Sequence, residues 1–144
     1  MKRSQGFVFI DLLTTASTIL ILVAVAIPVY SDYEVRSYAA ESFVVATKLR
    51  KIIGDYYAFH GHLPENNASL QLEASHFATK TINRIEVKQG EIHVFFHYPS
   101  ALKGKTLVLA PTVNTTLGHI HWQCTKASTL ETKYVPSICR ENMK

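Results

Sequence analysis

The apolar and polar positions change their spacing several times along the chain, and each change marks an element. From residue 7 to residue 30 nearly every position is apolar or small. At about 1.5 Å per helical residue, such a run is long enough to cross a hydrocarbon core of roughly 30 Å. Beyond it, Val35, Tyr38, Val45, Leu49, Ile52, Ile53 and Tyr56 recur at spacings of three, four and seven, with Arg36, Glu41, Lys48, Arg50 and Lys51 between them. That spacing predicts an amphipathic helix continuing the apolar one. His60-Gly61 supplies a stop and Pro64 opposes continuation, so one helix is expected over residues 7–59. Pro28 falls inside it, where the missing donor and the crowding of the Ala24 carbonyl predict a kink.

Residues 62–80 turn to Pro, Asn, Ser and Ala with scattered Leu, which reads as an irregular connection with a short helical turn over 70–77. Strand signals follow at 82–88, 91–98, 105–112 and 118–124, and Gln89-Gly90 suits a tight hairpin turn between the first two. Short links between such strands predict an antiparallel meander of four. Alternation puts Ile92, Val94, Phe96 and Tyr98 on one face and does the same for Ile120, Trp122 and Cys124. These sets are expected to pack on the helix stripe. His93, Phe95, His97, His119, His121 and Gln123 take the opposite parity. After Cys124 the chain is mostly polar, with Tyr134-Val135-Pro136 expected as an extended segment against the sheet. The fold class is therefore α+β: a long N-terminal α-helix packed on a four-stranded antiparallel sheet.

Length and charge narrow this further. With a membrane segment set apart, 144 residues leave room for one small domain. The formal charge is +4, and Lys2 and Arg3 in the first six residues contribute two of those charges. So mild a basicity does not by itself indicate a nucleic-acid binder. The short basic start running into an apolar stretch is like the beginning of a secretory signal, yet no A-x-A-like site follows it. The positive-inside rule keeps Lys2 and Arg3 cytoplasmic and sends the C-terminal part outward. The two cysteines, Cys124 and Cys139, lie in that outward part, where oxidation persists, so they are read as one disulfide. Closing a loop of about 15 residues contributes about 3 kcal/mol in the chain-entropy account.

One residue of the apolar run stands out. Asp11 places a carboxylate in lipid at a cost of about 2.5 to 3.5 kcal/mol, so a positive partner is expected. No Lys, Arg or His lies between Phe7 and Tyr33, so no helical neighbour can supply it. The partner must come from elsewhere.

The motifs together resemble the type IV pilins, most closely the type IVa class. They are the leader Lys2-Arg3-Ser4-Gln5-Gly6, the apolar helix with an acid at the fifth place after the glycine, and Pro28. Asp55-Tyr56-Tyr57, His60-Gly61-His62-Leu63-Pro64, Ile120-His121-Trp122-Gln123-Cys124 and Lys133-Tyr134-Val135-Pro136-Ser137-Ile138-Cys139-Arg140 continue the match over essentially the whole chain. The resemblance implies a leader over residues 1–6, a membrane-spanning and filament-core helix over 7–30, and a head domain over 31–144. A prepilin peptidase would cut between Gly6 and Phe7, and the new Phe7 amino terminus would be N-methylated. The Asp11 carboxylate would then meet the Phe7 amino terminus of a neighbouring pilin subunit. At an effective dielectric near 20, charges about 4 Å apart attract by about 4 kcal/mol, comparable with the insertion cost.

The implied partners are other pilin subunits, the prepilin peptidase and the pilus assembly machinery. The implied locations are the bacterial inner membrane before assembly and the extracellular pilus afterwards, serving adhesion, twitching motility or DNA uptake. No cofactor is implied. The chain departs from the family at Asp11, where glutamate is usual; aspartate is one methylene shorter, so its carboxylate reaches roughly 1.5 Å less. Phe9 likewise stands where leucine is common. Both a major and a minor subunit fit this sequence.

Other readings compete with the resemblance at particular residues. Lys126, Lys133, Arg140 and Lys144 near the disulfide segment could neutralise the phosphates of DNA, although Glu131 and Glu141 lie among them and a solvated edge has the same composition. His93, His97, His119 and His121 could converge on a metal if their strands adjoin, but no acid or cysteine joins the set. An enzyme reading fails because a paired cysteine supplies no thiolate. Asn67-Ala68-Ser69 matches a glycosylation acceptor.

Overall fold

The structure, a computed structural model, describes residues 4–114, 116, 118–141 and 143, with the side chains of all of these except 4–6 and 138. Helix α1 (Ser4–His60) is followed by a 3-10 turn at Asn67–Leu70 and four strands, β1 (Ile82–Lys88), β2 (Glu91–Phe96), β3 (Thr106–Asn114) and β4 (His119–Cys124). A second 3-10 turn at Thr132–Tyr134 and the helical turn α2 (Ser137–Arg140) close the chain. The residues through Glu34 form one unit and those from Val35 onward form another.

In the second unit the sheet is an antiparallel meander in the order β1-β2-β3-β4. The β1–β2 turn is Gln89-Gly90, with φ of 51° and 84°. Two residues at positive φ make the turn whose twist matches the flanking strands. Gly90 is also required by space, since a Cβ there would stand 2.9 Å from Leu63 Cδ1.

A bulge between Ile82 and Arg84 lets Ile82 and Ile85, three residues apart, both face inward. They join Val87, Ile92, Val94, Phe96, Leu107, Leu109 and Cys124 in one core with α1. The helix contributes Val35, Ala39, Val45, Ala46, Leu49 and Ile53, together with buried Ser42. Positions 35, 42 and 49 and positions 39, 46 and 53 each repeat every seven residues. The side chains at 39, 42 and 46 of this buried stripe are small. Their lack of apolar bulk is why the periodicity of large residues passed over them.

Several expected boundaries move. β2 ends at Phe96 rather than residue 98: the His97 N–H still donates to the Thr81 carbonyl at 3.0 Å, but Pro99 has no donor to carry a ladder further. Tyr98 is accordingly exposed, although its ring meets Tyr38 edge-on at 5.3 Å. β3 runs on to Asn114 through Pro111, which is tolerated beyond Leu109 where β2 no longer pairs with it. The helical turn expected over 70–77 lies earlier, at Asn67–Leu70, because the Asn66 side chain caps it by accepting from Ser69 N. Tyr134 sits in a 3-10 turn, and only Val135 and Pro136 are extended.

The connection over 62–81 also guards an edge. Ile85 N donates to Ala74 O at 2.9 Å, Gln89 N donates to Glu65 O at 2.9 Å, and Asn67 Nδ2 donates to Ile85 O at 2.9 Å. These bonds occupy the outer side of β1, which would otherwise offer an open edge to another chain. Asn67, the residue of the glycosylation-like motif, thus spends its amide on the sheet. At the other end Thr81, fully buried, donates its hydroxyl to Glu41 Oε2 of α1 at 3.2 Å.

Candidate functional site

The first site is built on the apolar stretch of α1. Phe7, Val8, Ile10, Leu12, Leu20, Leu22 and Ile27 are all exposed, and none of this stretch is buried within the chain. The helix is long and apolar enough to cross a membrane. Its polar side chains are handled locally, as Thr14 and Thr15 donate to the Asp11 carbonyl at 2.9 and 2.8 Å. Ser17 donates to Leu13 O and Thr18 to Thr14 O, each at 2.8 Å. In a medium without water this satisfies these four hydroxyls on the helix itself.

The Asp11 carboxylate is different. It accepts no hydrogen bond and joins no ion pair among the described residues, and it projects from an exposed position. Gly6 lies within α1 and Phe7 is 74% exposed, so the bond between them sits on the same accessible helix. Lys2 and Arg3 lie outside the described residues. At Pro28 the helix continues without a break, and Ser31 donates its hydroxyl to the Pro28 carbonyl at 2.9 Å.

The second candidate surface is the disulfide-bounded segment. Cys124 and Cys139 are joined, with Cα atoms 5.1 Å apart. Leu130, Tyr134 and Val135 pack into the core beside them. The segment also completes β3: Thr125 N donates to Val108 O at 3.0 Å, Thr129 N donates to Thr106 O at 2.9 Å, and Thr106 N donates to Thr129 Oγ1 at 2.8 Å.

The cations proposed there for DNA are spread among different tasks. Lys133 stands 3.4 Å from Glu131 and over the Tyr134 ring, and Arg140 Nε donates to Val135 O at 3.1 Å. Lys126 is exposed, and Lys144 lies outside the described residues.

The histidines of the sheet do not converge. β3 lies between β2 and β4, and His93 pairs with Val108 of β3 whereas His121 pairs with Thr112, four residues further along. Strands lie about 4.8 Å apart and rise about 3.4 Å per residue, so these rings are separated in both directions. His93 Nε2 instead contacts Glu91 Oε2 at 3.1 Å. Beside it, Glu86 binds Arg84 at 2.7 Å and Lys88 at 2.9 Å, and Arg84 lies 4.1 Å over Phe95. The hydrogen bond from Arg84, then that from Lys88, holds the Glu86 carboxyl below its usual pKa.

Sequence reasoning missed a groove between α1 and β4 that Arg50, Gly54, Tyr57, Gly118, His119 and Trp122 line. The inward parity of Trp122 was legible, but which turn of the helix it meets was not.

Comparison with known proteins bears on the whole chain. The sequence pattern of the Pilin family, a bacterial filament, matches residues 35–140. The chain is similar to the type IV major pilin protein PilE1 of Neisseria gonorrhoeae, with 31% identity over 159 residues covering 96% of this chain and 94% of that protein. It is 34% identical to the fimbrial protein EcpC of Eikenella corrodens over 148 residues, covering 97% and 94% of the two. A fimbrial protein of Neisseria meningitidis serogroup A is 29% identical, with 95% and 94% covered.

Proposed function

The chain belongs to the pilin family, and from that premise we propose that it polymerises through the pairing of Asp11 with the amino terminus of a neighbouring subunit. Its role is structural: it is a subunit of a type IV pilus. In the proposed sequence of events the chain first sits in the inner membrane by its apolar helix. A prepilin peptidase cuts after Gly6, and Phe7 becomes a methylated, positively charged terminus. The assembly machinery then transfers the subunit into the filament. There the exposed apolar stretch is covered by other helices and the head domain faces outward.

The observation that carries this reading is the unpartnered Asp11 carboxylate in a stretch where the hydroxyls of Thr14, Thr15, Ser17 and Thr18 are satisfied on the helix itself. Leaving such a group unmatched in an apolar filament core costs several kcal/mol, so docking that supplies a cation relieves it. Asp11→Asn removes the charge and keeps the size, and it is expected to lower the yield of sheared filaments at least tenfold while the unassembled protein accumulates. Asp11→Glu restores the charge and is expected to keep filaments. Wild-type filament yield in Asp11→Asn, or a mature protein whose mass shows an N-terminus other than methylated Phe7, would overturn the proposal.

A further inference from the structure

At the C-terminal end of α1 the chain turns through Gly61, whose φ is 73° and whose N–H donates to Tyr57 O at 2.8 Å. This left-handed turn folds His62 back toward the helix. The result is a cluster of three rings. His60 stacks on Tyr56, with centroids 4.1 Å apart and planes 12° from parallel, and His62 meets the same tyrosine edge-on at 5.6 Å. The two imidazoles stand 6.0 Å apart.

The hydrogen bonds of the rings decide what they present. His60 Nδ1 lies 3.0 Å from the Tyr56 carbonyl oxygen, and His62 Nδ1 lies 3.1 Å from the Leu63 carbonyl oxygen. A carbonyl only accepts, so both Nδ1 atoms carry hydrogen, and in the neutral rings each Nε2 holds a free lone pair. Neither Nε2 has a partner among the described residues, and both side chains are exposed. An imidazole whose Nδ1–H is anchored on a backbone carbonyl while Nε2 stays free is oriented as metal-ligating histidines are.

We infer that His60 and His62 form a two-histidine site for a late first-row divalent cation, of the Zn²⁺ or Cu²⁺ kind, at the end of α1. Imidazole nitrogens favour such ions over Mg²⁺ or Ca²⁺, which take oxygen ligands. With nitrogens about 2.0–2.1 Å from a tetrahedral ion, two ring centroids stand about 5 Å apart, so the observed separation closes with a small side-chain adjustment. Water fills the remaining positions. The carbonyl end of the helix dipole adds favourable charge for a cation. Bound there, the ion clips the last turn of α1 to the start of the connection that guards the β1 edge. This site is separate from the sheet histidines, and it does not depend on filament assembly.

The test uses the full-length protein in detergent micelles and Cu²⁺ as the probe at less than one equivalent. Electron paramagnetic resonance is expected to show hyperfine coupling to two imidazole nitrogens. His60→Gln and His62→Gln should each remove one of them and weaken binding by about tenfold or more, whereas His121→Gln should change neither. The same order of effects is expected when Zn²⁺ raises the thermal midpoint. A two-nitrogen signal that persists in both His60→Gln and His62→Gln would overturn the assignment, as would a signal lost in His121→Gln or no copper binding.

Discussion

The apolar residues before Glu34 and those after Val35 belong to one continuous helix and meet opposite fates. Leu20 and Leu22 are 69% and 66% exposed, while Leu49 and Ile53 are 1% and 0% exposed. Hydrophobicity and helix propensity do not separate them. What differs is the distribution around the helix: the first stretch is apolar on all sides, and the second gathers most of its apolar residues on one stripe, Val44 and Phe59 excepted, with charges elsewhere. A striped helix can be satisfied by one sheet of its own chain. A helix apolar all round needs partners on every side, which here means lipid or other subunits. The two stretches therefore divide the labour between assembly and folding.

Substitutions of the same kind in the two stretches should break or sharpen this contrast. Leu49→Ala removes a fully buried side chain and is expected to destabilise the head by about 3–5 kcal/mol. Leu20→Ala should leave the unfolding midpoint unchanged when full-length protein in micelles is followed by the near-ultraviolet signal of Trp122. Equal losses in the two variants would erase the distinction. A smaller effect, about 1–3 kcal/mol, is expected for Ala46→Leu, which overfills a buried position of the helix stripe. Ala24→Leu in the apolar stretch should cost nothing by the same measurement, and a tolerated Ala46→Leu would show that the small residues are incidental.

The smallest effect concerns charge on the outer sheet face. Because Arg84 and Lys88 lower the pKa of Glu86 below its ordinary value of 4.5, its contribution is fully present above that value. It fades as the pH falls through the lowered one. The ion pairs are partly solvated, so Glu86→Gln should cost only about 0.5–1 kcal/mol at pH 7. The gap between wild type and variant should narrow as the pH falls below 4.5 and through that lowered value. A gap that is constant with pH would assign the effect to packing instead.

Much of the fold was legible because local patterns and tertiary demands agree. The strand pattern located all four strands and their order, since alternation, the Gln89-Gly90 turn and short links leave few arrangements. Strand ends were less legible. β2 stops at Phe96, and Tyr98 instead meets Tyr38 of α1, a contact 60 residues away in sequence that no local signal reports. Asn67 shows the same limit, since its motif reads as a surface acceptor while its amide is bonded to β1. The DNA-directed reading of Lys133 and Arg140 rested on composition, and the tertiary structure gives each an intramolecular partner.

By itself the sequence determined the long helix, the lone Asp11, the cysteine pair and the antiparallel sheet, because periodicity, charge and compartment act on each within a short stretch or through the chain's own composition. Only the tertiary structure decided which small residues of α1 join its buried stripe, that β3 separates the histidine-bearing strands, and that Gly61 brings His60 and His62 together on Tyr56. Those outcomes depend on distances between residues that share no sequence pattern. Packing fixes such distances only after the elements have formed.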